Sequence, residues 1–470
     1  MALSRRSARH RSTRLLALAT AAASVWVISA APAPVPGAPG VGDSYFPNLG
    51  NGGFDVRHYG LDIGYTPDTG RLEGRATITA RATKSLSSFH LDLQQLKVTS
   101  VEVNGKRAHF TRTGDEINIR PGRHLAKGRT FTTTVTYGGI PKPLSGPIIF
   151  GSKYGWMKTP DGVFVACEPN AASTWFPSSD HPSDKAAFDV RIKAPKGLTG
   201  ISNGRLVSTR TQGSKTVSHW RATRPMAPYL ATATIGKFDV RTGRTPAGTP
   251  IYVAIDPKLK GDNPVDFYGI TAEATDYWSK VFGPYPFEET GAIVDDMPDA
   301  EFSLETQTKP VYSAVRDEET IVHELAHQWF GDSVSVREWK NIWLNEGFAS
   351  YSEWLWAEHK GKKSAHQSFL DAYNRYGADD PFWKIVVADP QRDTMFSRAV
   401  YTRGAMALQA LRERIGDKAF FKLLPLWTSQ HRYGNAEIKQ FIALAEKVSG
   451  QKLGGLFDTW IGKPGKPALP

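Results

Sequence analysis

The stretch that most narrows what this chain can fold into runs from Asp317 to Ala349. It begins Asp317-Glu318-Glu319-Thr320-Ile321-Val322-His323-Glu324-Leu325-Ala326-His327-Gln328-Trp329-Phe330-Gly331 and ends, after a polar connection, with Trp343-Leu344-Asn345-Glu346-Gly347-Phe348-Ala349. The first half reads as a helix. Three acidic residues suit the positive end of its dipole, and Gly331 falls where a left-handed C-terminal cap belongs. Ile321, Val322, Leu325, Ala326, Trp329 and Phe330 supply its apolar face. His323 and His327, at i and i+4, project from one side of it. Two imidazoles so spaced can reach a single ion at about 2.0–2.1 Å. Glu324, about 100° further round, suits a general base rather than a third ligand. Glu346 follows His327 after an 18-residue spacer, in a second helical segment. A catalytic zinc takes three protein ligands and keeps one position open. A helix, a tight return and a second helix would bring the Glu346 carboxylate beside both rings. The competing pattern, with a third histidine after a glycine, fails because Gly331 comes one place too late and no histidine follows nearby. The arrangement points to a zinc peptidase centre, with Glu324 taking the proton of the attacking water.

The rest of the chain must supply a scaffold and a substrate track. At 470 residues it has ample length for more than one domain and a large core. The net charge of +12 is inflated at the start, where Arg5, Arg6, Arg9, Arg11 and Arg14 precede any acidic residue. No basic run interleaved with aromatics argues for nucleic acid as a partner. Residues 1–31 read as a signal peptide: a charged region, then an Ala-rich apolar stretch from Leu15 to Ala31, interrupted by Thr20, Ser24 and Ser29. The mature protein is expected to be secreted, with no stable membrane span. Residues 32–42 read as a Pro/Ala/Gly-rich linker. A lone cysteine, Cys167, excludes an internal disulfide and reads as a small buried apolar residue.

Residues 43–256 read as an N-terminal β-sandwich domain. Tyr59, Leu61, Ile63 and Tyr65 alternate, as do Ala76, Ile78, Ala80 and Ala82, and Phe131, Thr133, Val135 and Tyr137. Asn104-Gly105 between two such runs is a type I′ hairpin signal. From 257 to 470 the pattern turns helical, with amphipathic segments over 265–280, 417–430 and 436–448 and short strands at 291–294 and 302–308. The strand at 302–308 is polar enough to be an edge. The fold class expected is α+β, an antiparallel sandwich followed by a mixed α/β and helical catalytic domain. The Pro-rich tail after Trp460 is expected to form no further element.

His-Glu-x-x-His, the 18-residue spacer and Asn345-Glu346-Gly347-Phe348-Ala349 together resemble the zinc aminopeptidases of the aminopeptidase N family, a branch of the gluzincins. Other stretches share the resemblance over about 54–465. Asp180-His181-Pro182-Ser183-Asp184-Lys185-Ala186-Ala187-Phe188 is similar to a structural turn of that family, and Phe282-Gly283-Pro284-Tyr285-Pro286-Phe287 to another of its signatures. The resemblance implies a thermolysin-like catalytic domain, one Zn²⁺ held by His323, His327 and Glu346, and peptide substrates with a free N-terminus. It implies that Glu305, in Phe302-Ser303-Leu304-Glu305-Thr306 where relatives carry Gly-x-Met-Glu-Asn, binds the substrate's ammonium. Glu168, in Ala166-Cys167-Glu168 where relatives carry Gln-x-Glu, is implied as a second ammonium contact. Tyr401, in Tyr401-Thr402-Arg403-Gly404-Ala405, is implied as the donor to the developing oxyanion. The Gly and Asn of the family's strand are replaced here by Phe302 and Thr306, and its Gln by Ala166. A C-terminal helical domain found in larger relatives is expected to be missing. Two alternatives keep part of this picture: an endopeptidase of thermolysin type with the same centre, and a binding protein that has lost catalysis.

Overall fold

The computed structural model describes residues 33–470 except 260, 262–264 and 301. The expected signal peptide lies outside them, as does Asn263-Pro264 ahead of the first helix. The N-terminal part is built on a mostly antiparallel sheet. Its strand order is Arg205–Gln212, Lys215–Met226, Ala186–Pro195, Phe54–Thr66, Arg71–Ala82, Thr130–Gly139, Lys97–Val103, Lys106–Arg107. One pairing departs from the antiparallel expectation, because Ala186–Pro195 runs parallel to Phe54–Thr66. Alternation places Tyr59, Leu61, Ile63 and Tyr65 inside. A register shift at Val56/His58 changes the phase, so Phe54 and Val56 face the core from even positions. Asn104 and Gly105 both take positive φ, as the type I′ hairpin requires.

Two smaller sheets cover the inner face. Phe89 of one packs with Phe54 and Phe131 of the large sheet, and Trp156 of the other packs edge-on against Tyr65. Residues 33–42, expected as a linker, are tied down. Val35–Pro36 pairs parallel to Leu86–Asp92, and Gly37 N–H donates to Ser88 O. Beyond them the buried Asp43 carboxylate accepts from the N–H groups of Tyr45, Phe46 and Trp339 and pairs with His181. Those contacts outweigh the burial that opposes ionisation and hold the Asp43 carboxyl below its usual range.

A five-stranded mixed sheet crosses the expected 256/257 boundary. Its order is Asp239–Arg244, Pro250–Ile255, Thr290–Val294, Val311–Tyr312, Ser303–Leu304. Pro250–Ile255 bonds in parallel to Thr290–Val294, so the strands before residue 256 share a sheet with the strand that leads to Glu305. Ser303–Leu304 is the edge, as its polarity suggested.

The helices follow: α1 Phe267–Val281, α2 Glu318–Ala326, α3 Trp343–His359, α4 Ala365–Arg375, α5 Gly404–Ile415, α6 Asp417–Gln430 and α7 Ile438–Ser449. Asp317 caps α2 by accepting from Thr320 N–H, with Glu318 and Glu319 in the first turn. The regular helix closes earlier than expected, at Ala326. His327 continues it by one turn, and the chain then peels away through a bridge between Phe330 and Val334. Gly331 is left-handed, with φ 130°, but it serves this exit rather than a helix cap. A Cβ there would meet His327 Nδ1 at 3.3 Å and Asn345 Nδ2 at 3.4 Å, so the exit packs directly against α3. Phe330 then stacks on Phe348 at 4.4 Å and locks α2 against α3.

The Pro-rich tail adds no helix after residue 462 but is held fast. Gly465 N–H donates to Trp383 O, the Lys466 ammonium to Tyr376 O, and the Tyr373 hydroxyl to Pro467 O.

Candidate metal centre and its cleft

His323 and His327 leave α2 on the side facing α3, where Glu346 sits in the first turn. All three are buried. The His323 and His327 Nε2 atoms lie 3.1 Å apart, and each is 3.4 Å from Glu346 Oε2. A tetrahedral ion with bonds of about 2.0–2.1 Å holds its ligand atoms roughly 3.3–3.4 Å apart, so these three donors already sit at ligand spacing. The other ring nitrogens are engaged. His323 Nδ1 lies 2.6 Å from Glu353 Oε1, and His327 Nδ1 lies 2.9 Å from Phe330 O. Each partner is an acceptor, so Nδ1 carries the proton and each Nε2 lone pair faces the common point. A second three-donor group, Glu305, Glu324 and His327, also falls within 4.8 Å. It has a single imidazole, and its carboxylates have other surroundings. The donor set of two imidazoles and a carboxylate fits zinc.

Electrostatics support a cation here. Burial opposes ionisation of Glu346, but the two imidazoles outweigh it and hold its carboxyl well below the usual range. Burial disfavours charge on His323, yet the carboxylates of Glu346 and Glu353 raise its pKa well above the ordinary value. Glu324 is pushed up to about 7 by burial, with the imidazoles opposing. Around them stands a wall of buried acid. Burial and then the neighbouring carboxylates raise Glu168 well above its ordinary value, and its Oε1 has no partner among the described residues. Asp332, next to the exit turn, is fully buried with both carboxylate oxygens unpaired among the described residues. Such a cluster is relieved by protonation or by a bound cation.

Glu305 lies just beyond the edge strand and is buried, and the Tyr229 hydroxyl donates to its Oε1 at 3.3 Å. Its distance from the metal donors is set by Gln328, the residue after His327. The Gln328 side-chain amide donates to Glu305 O at 3.1 Å and accepts from Thr308 N–H at 2.7 Å. One buried amide thus pins the residues just after the edge strand to the turn that follows α2.

Tyr401 arrives on a π-helical turn, Ala399–Arg403, that runs into α5. Its ring lies nearly parallel to that of His323, with centroids 6.1 Å apart. The turn is brought close by two glycines. A Cβ on Gly347 would meet Gly404 backbone at 3.1 Å, and one on Gly404 would meet Gly347 Cα at 3.0 Å. Backbone contact at this point holds the segment that carries Tyr401 against the residue beside Glu346. Tyr401, Glu168, Phe302, Leu304, Ser350 and Glu353 all line one cleft.

All seven residues singled out from the sequence therefore converge. Glu353, Gln328, Tyr229 and Asp332 were missed. Glu353 carried a signal, because it lies seven residues after Glu346 on the same helix and so shares its face. Exchanging it by Glu353→Gln should weaken zinc binding by about 10- to 100-fold. Competition against a chromogenic chelator measures this, and an unchanged affinity would show that His323 needs no such support.

Comparison with known proteins bears on the same residues. Residues 56–230 match the model of the peptidase M1 N-terminal domain, and residues 291–460 that of the peptidase family M1 domain. A leucyl aminopeptidase of Saccharolobus solfataricus is 25% identical over 456 residues, covering 88% of this chain and 54% of that protein. A glutamyl aminopeptidase of Mus musculus is 24% identical, covering 88% and 47%. The chain spans about half the length of these relatives. The crystal structure of an M1 zinc metallopeptidase from Deinococcus radiodurans matches at TM-score 0.85 and 29% identity, covering 92% of this chain and 98% of that one. A mutant of that enzyme bound to Tyr-Ser-Ala substrate matches at TM-score 0.85 and 28% identity.

Proposed function

Since the chain belongs to peptidase family M1, we propose that it is a zinc-dependent aminopeptidase, releasing residues from the free N-terminus of peptides. The observation that carries this reading is the shared surroundings of the three zinc-spaced donors and Glu305, held together by Gln328. His323, His327 and Glu346 would hold one Zn²⁺ per chain, which when bound polarises a carbonyl and acidifies water. Glu324 accepts the proton of the attacking water and passes it to the leaving amine. The Tyr401 hydroxyl donates to the oxygen on which negative charge develops. Glu305, with Glu168, receives the substrate's ammonium by charge-assisted hydrogen bonds. Fixing that end limits cleavage to the first peptide bond. The tripeptide held by a mutant of the Deinococcus radiodurans neighbour is a substrate of this kind. An exported enzyme, with residues 1–31 as its signal, is part of the same proposal.

The endopeptidase alternative keeps the zinc chemistry but has no use for an ammonium site. Amino-acid anilides compared with their N-acetylated forms separate the two. The expected result is turnover of the free amine and at least a 10²-fold lower kcat/KM for the acetylated form, the scale of a lost charged contact in a site built for it. Equal turnover of both would remove the role given to Glu305.

A further inference from the structure

The cleft that contains Glu168 and Tyr401 has a volume of about 740 Å³ and is also bounded by Phe150, Phe302, Phe396, Arg375 and Arg398. Its charges are unevenly spread. The carboxylates of Glu168, Glu305, Glu324 and Glu346 act on one another around the metal donors. The two cations come from other elements. Arg375 closes the last turn of α4, and Arg398 precedes the π-helical turn that carries Tyr401. Elsewhere the arginines nearest the helical core are committed. Arg412 pairs with Glu358 and Asp417, and Arg403 is spent on backbone carbonyls. Arg375 and Arg398 are exposed to the cleft's solvent and have no hydrogen bond or ion pair to a described residue. The nearest acid to Arg375 on its own helix, Asp371, is bonded by Lys363 at 2.6 Å and by Gln367, and Arg375 acts on it only through its charge at longer range. A lone exposed arginine is ordinarily a solvated charge. Two unpaired ones bounding the same cavity as a buried acidic cluster form a site of opposite sign beside it.

We propose that Arg375 and Arg398 form a carboxylate subsite of this cleft, selecting peptides that carry an anionic group within reach of the amino-terminal anchor. The inference rests on the aminopeptidase reading. A guanidinium presents planar, paired N–H donors that match a carboxylate, which a lysine does not. A short peptide is positive at its N-terminus and negative at its C-terminus, so it complements acid and arginine in one cavity. The same donors would serve an acidic side chain near the N-terminus. The shared chemistry is a carboxylate.

Four peptides distinguish the sources. Leu-Ala-Ala against its C-terminal amide reports on the terminal carboxylate. Glu-Ala-Ala amide against Gln-Ala-Ala amide reports on an acidic side chain. At least one carboxylate-bearing member should exceed its neutral twin in kcat/KM by roughly tenfold or more, chiefly through KM, the scale of a charged hydrogen bond discounted for solvent. In the Arg375→Gln, Arg398→Gln double variant that ratio should fall to near one, and Arg398→Lys should recover part of it. Both positions are exposed, so neutral side chains leave no buried gap. Equal turnover within both pairs, or a preference that survives the double variant, would overturn the subsite. No turnover of any of the four would contradict the aminopeptidase reading instead. The subsite would then be decided by calorimetric titration of the same pairs, with the tenfold preference and its loss in the double variant again required.

Discussion

Glu324→Gln should lower kcat by about 10²–10⁴-fold while zinc stays bound. The substitution keeps the volume of the side chain and removes only its capacity to take a proton. Glu324 is buried, its carboxylate lies within 4.8 Å of a ring nitrogen of His327 and feels the charge of both imidazoles, and its carboxyl is pushed up to about 7. A base in that range can both accept a proton from water and return it to the leaving amine at neutral pH. The metal donors are untouched, so zinc content should match the unaltered protein. Loss of turnover together with loss of zinc would mean that Glu324 serves the metal rather than the proton. Turnover near normal would exclude it as the base.

The second large effect concerns stability. Arg403→Met should destabilise the fold by about 3–5 kcal/mol, the cost of stripping a buried charged hub from its partners. Arg403 has no exposed surface. Its five N–H donors reach five carbonyls: Nε to Trp460 O at 2.7 Å, Nη1 to Trp383 O and Ile385 O at 3.0 and 3.1 Å, and Nη2 to Thr459 O and Lys463 O at 3.2 and 2.7 Å. Burial lowers its pKa to about 10, so it remains cationic at neutral pH. Those carbonyls belong to the last helical turn, Asp458–Gly462, with the residue after it, and to the distant turn Pro381–Lys384 with the residue after it. Arg403 therefore closes the C-terminal end over the turn that carries Tyr401. Arg403→Lys offers three donors at most and should fall between the two. Thermal unfolding followed by circular dichroism measures both, and an unshifted midpoint in Arg403→Met would show the hub to be dispensable.

What could be read in the chain beforehand follows from how local each signal is. The proposed zinc ligands were legible because helical spacing alone brings His323 and His327 together and a return of fixed length brings Glu346 to them. Glu305 and Tyr401 needed the family resemblance, since neither an acid on an edge strand nor a tyrosine before a helix is distinctive. The contacts that hold the site together were not legible. Asp43 joins His181 and the N–H of Trp339, partners far along the chain that no pattern near Asp43 announces. Residues 33–42 have the composition of a linker, but proline is tolerated in an added edge strand. The strands before residue 256 were expected only as part of an all-β stretch. Period two says which face is buried and nothing about which sheet a strand joins, so their pairing with Thr290–Val294 was missed. Gly331 shows the same limit. Its left-handed backbone was foreseen, but it serves the chain's exit past His327 and Asn345, not a cap.

The whole account turns on which three side chains take the ion. Anomalous diffraction at the zinc edge from crystals of the protein with zinc tests this directly. The result expected is a single peak at about 2.0–2.2 Å from the Nε2 atoms of His323 and His327 and the carboxylate of Glu346, with Glu324 off the metal. A peak held instead by Glu305, Glu324 and His327, or no peak at all, would contradict it.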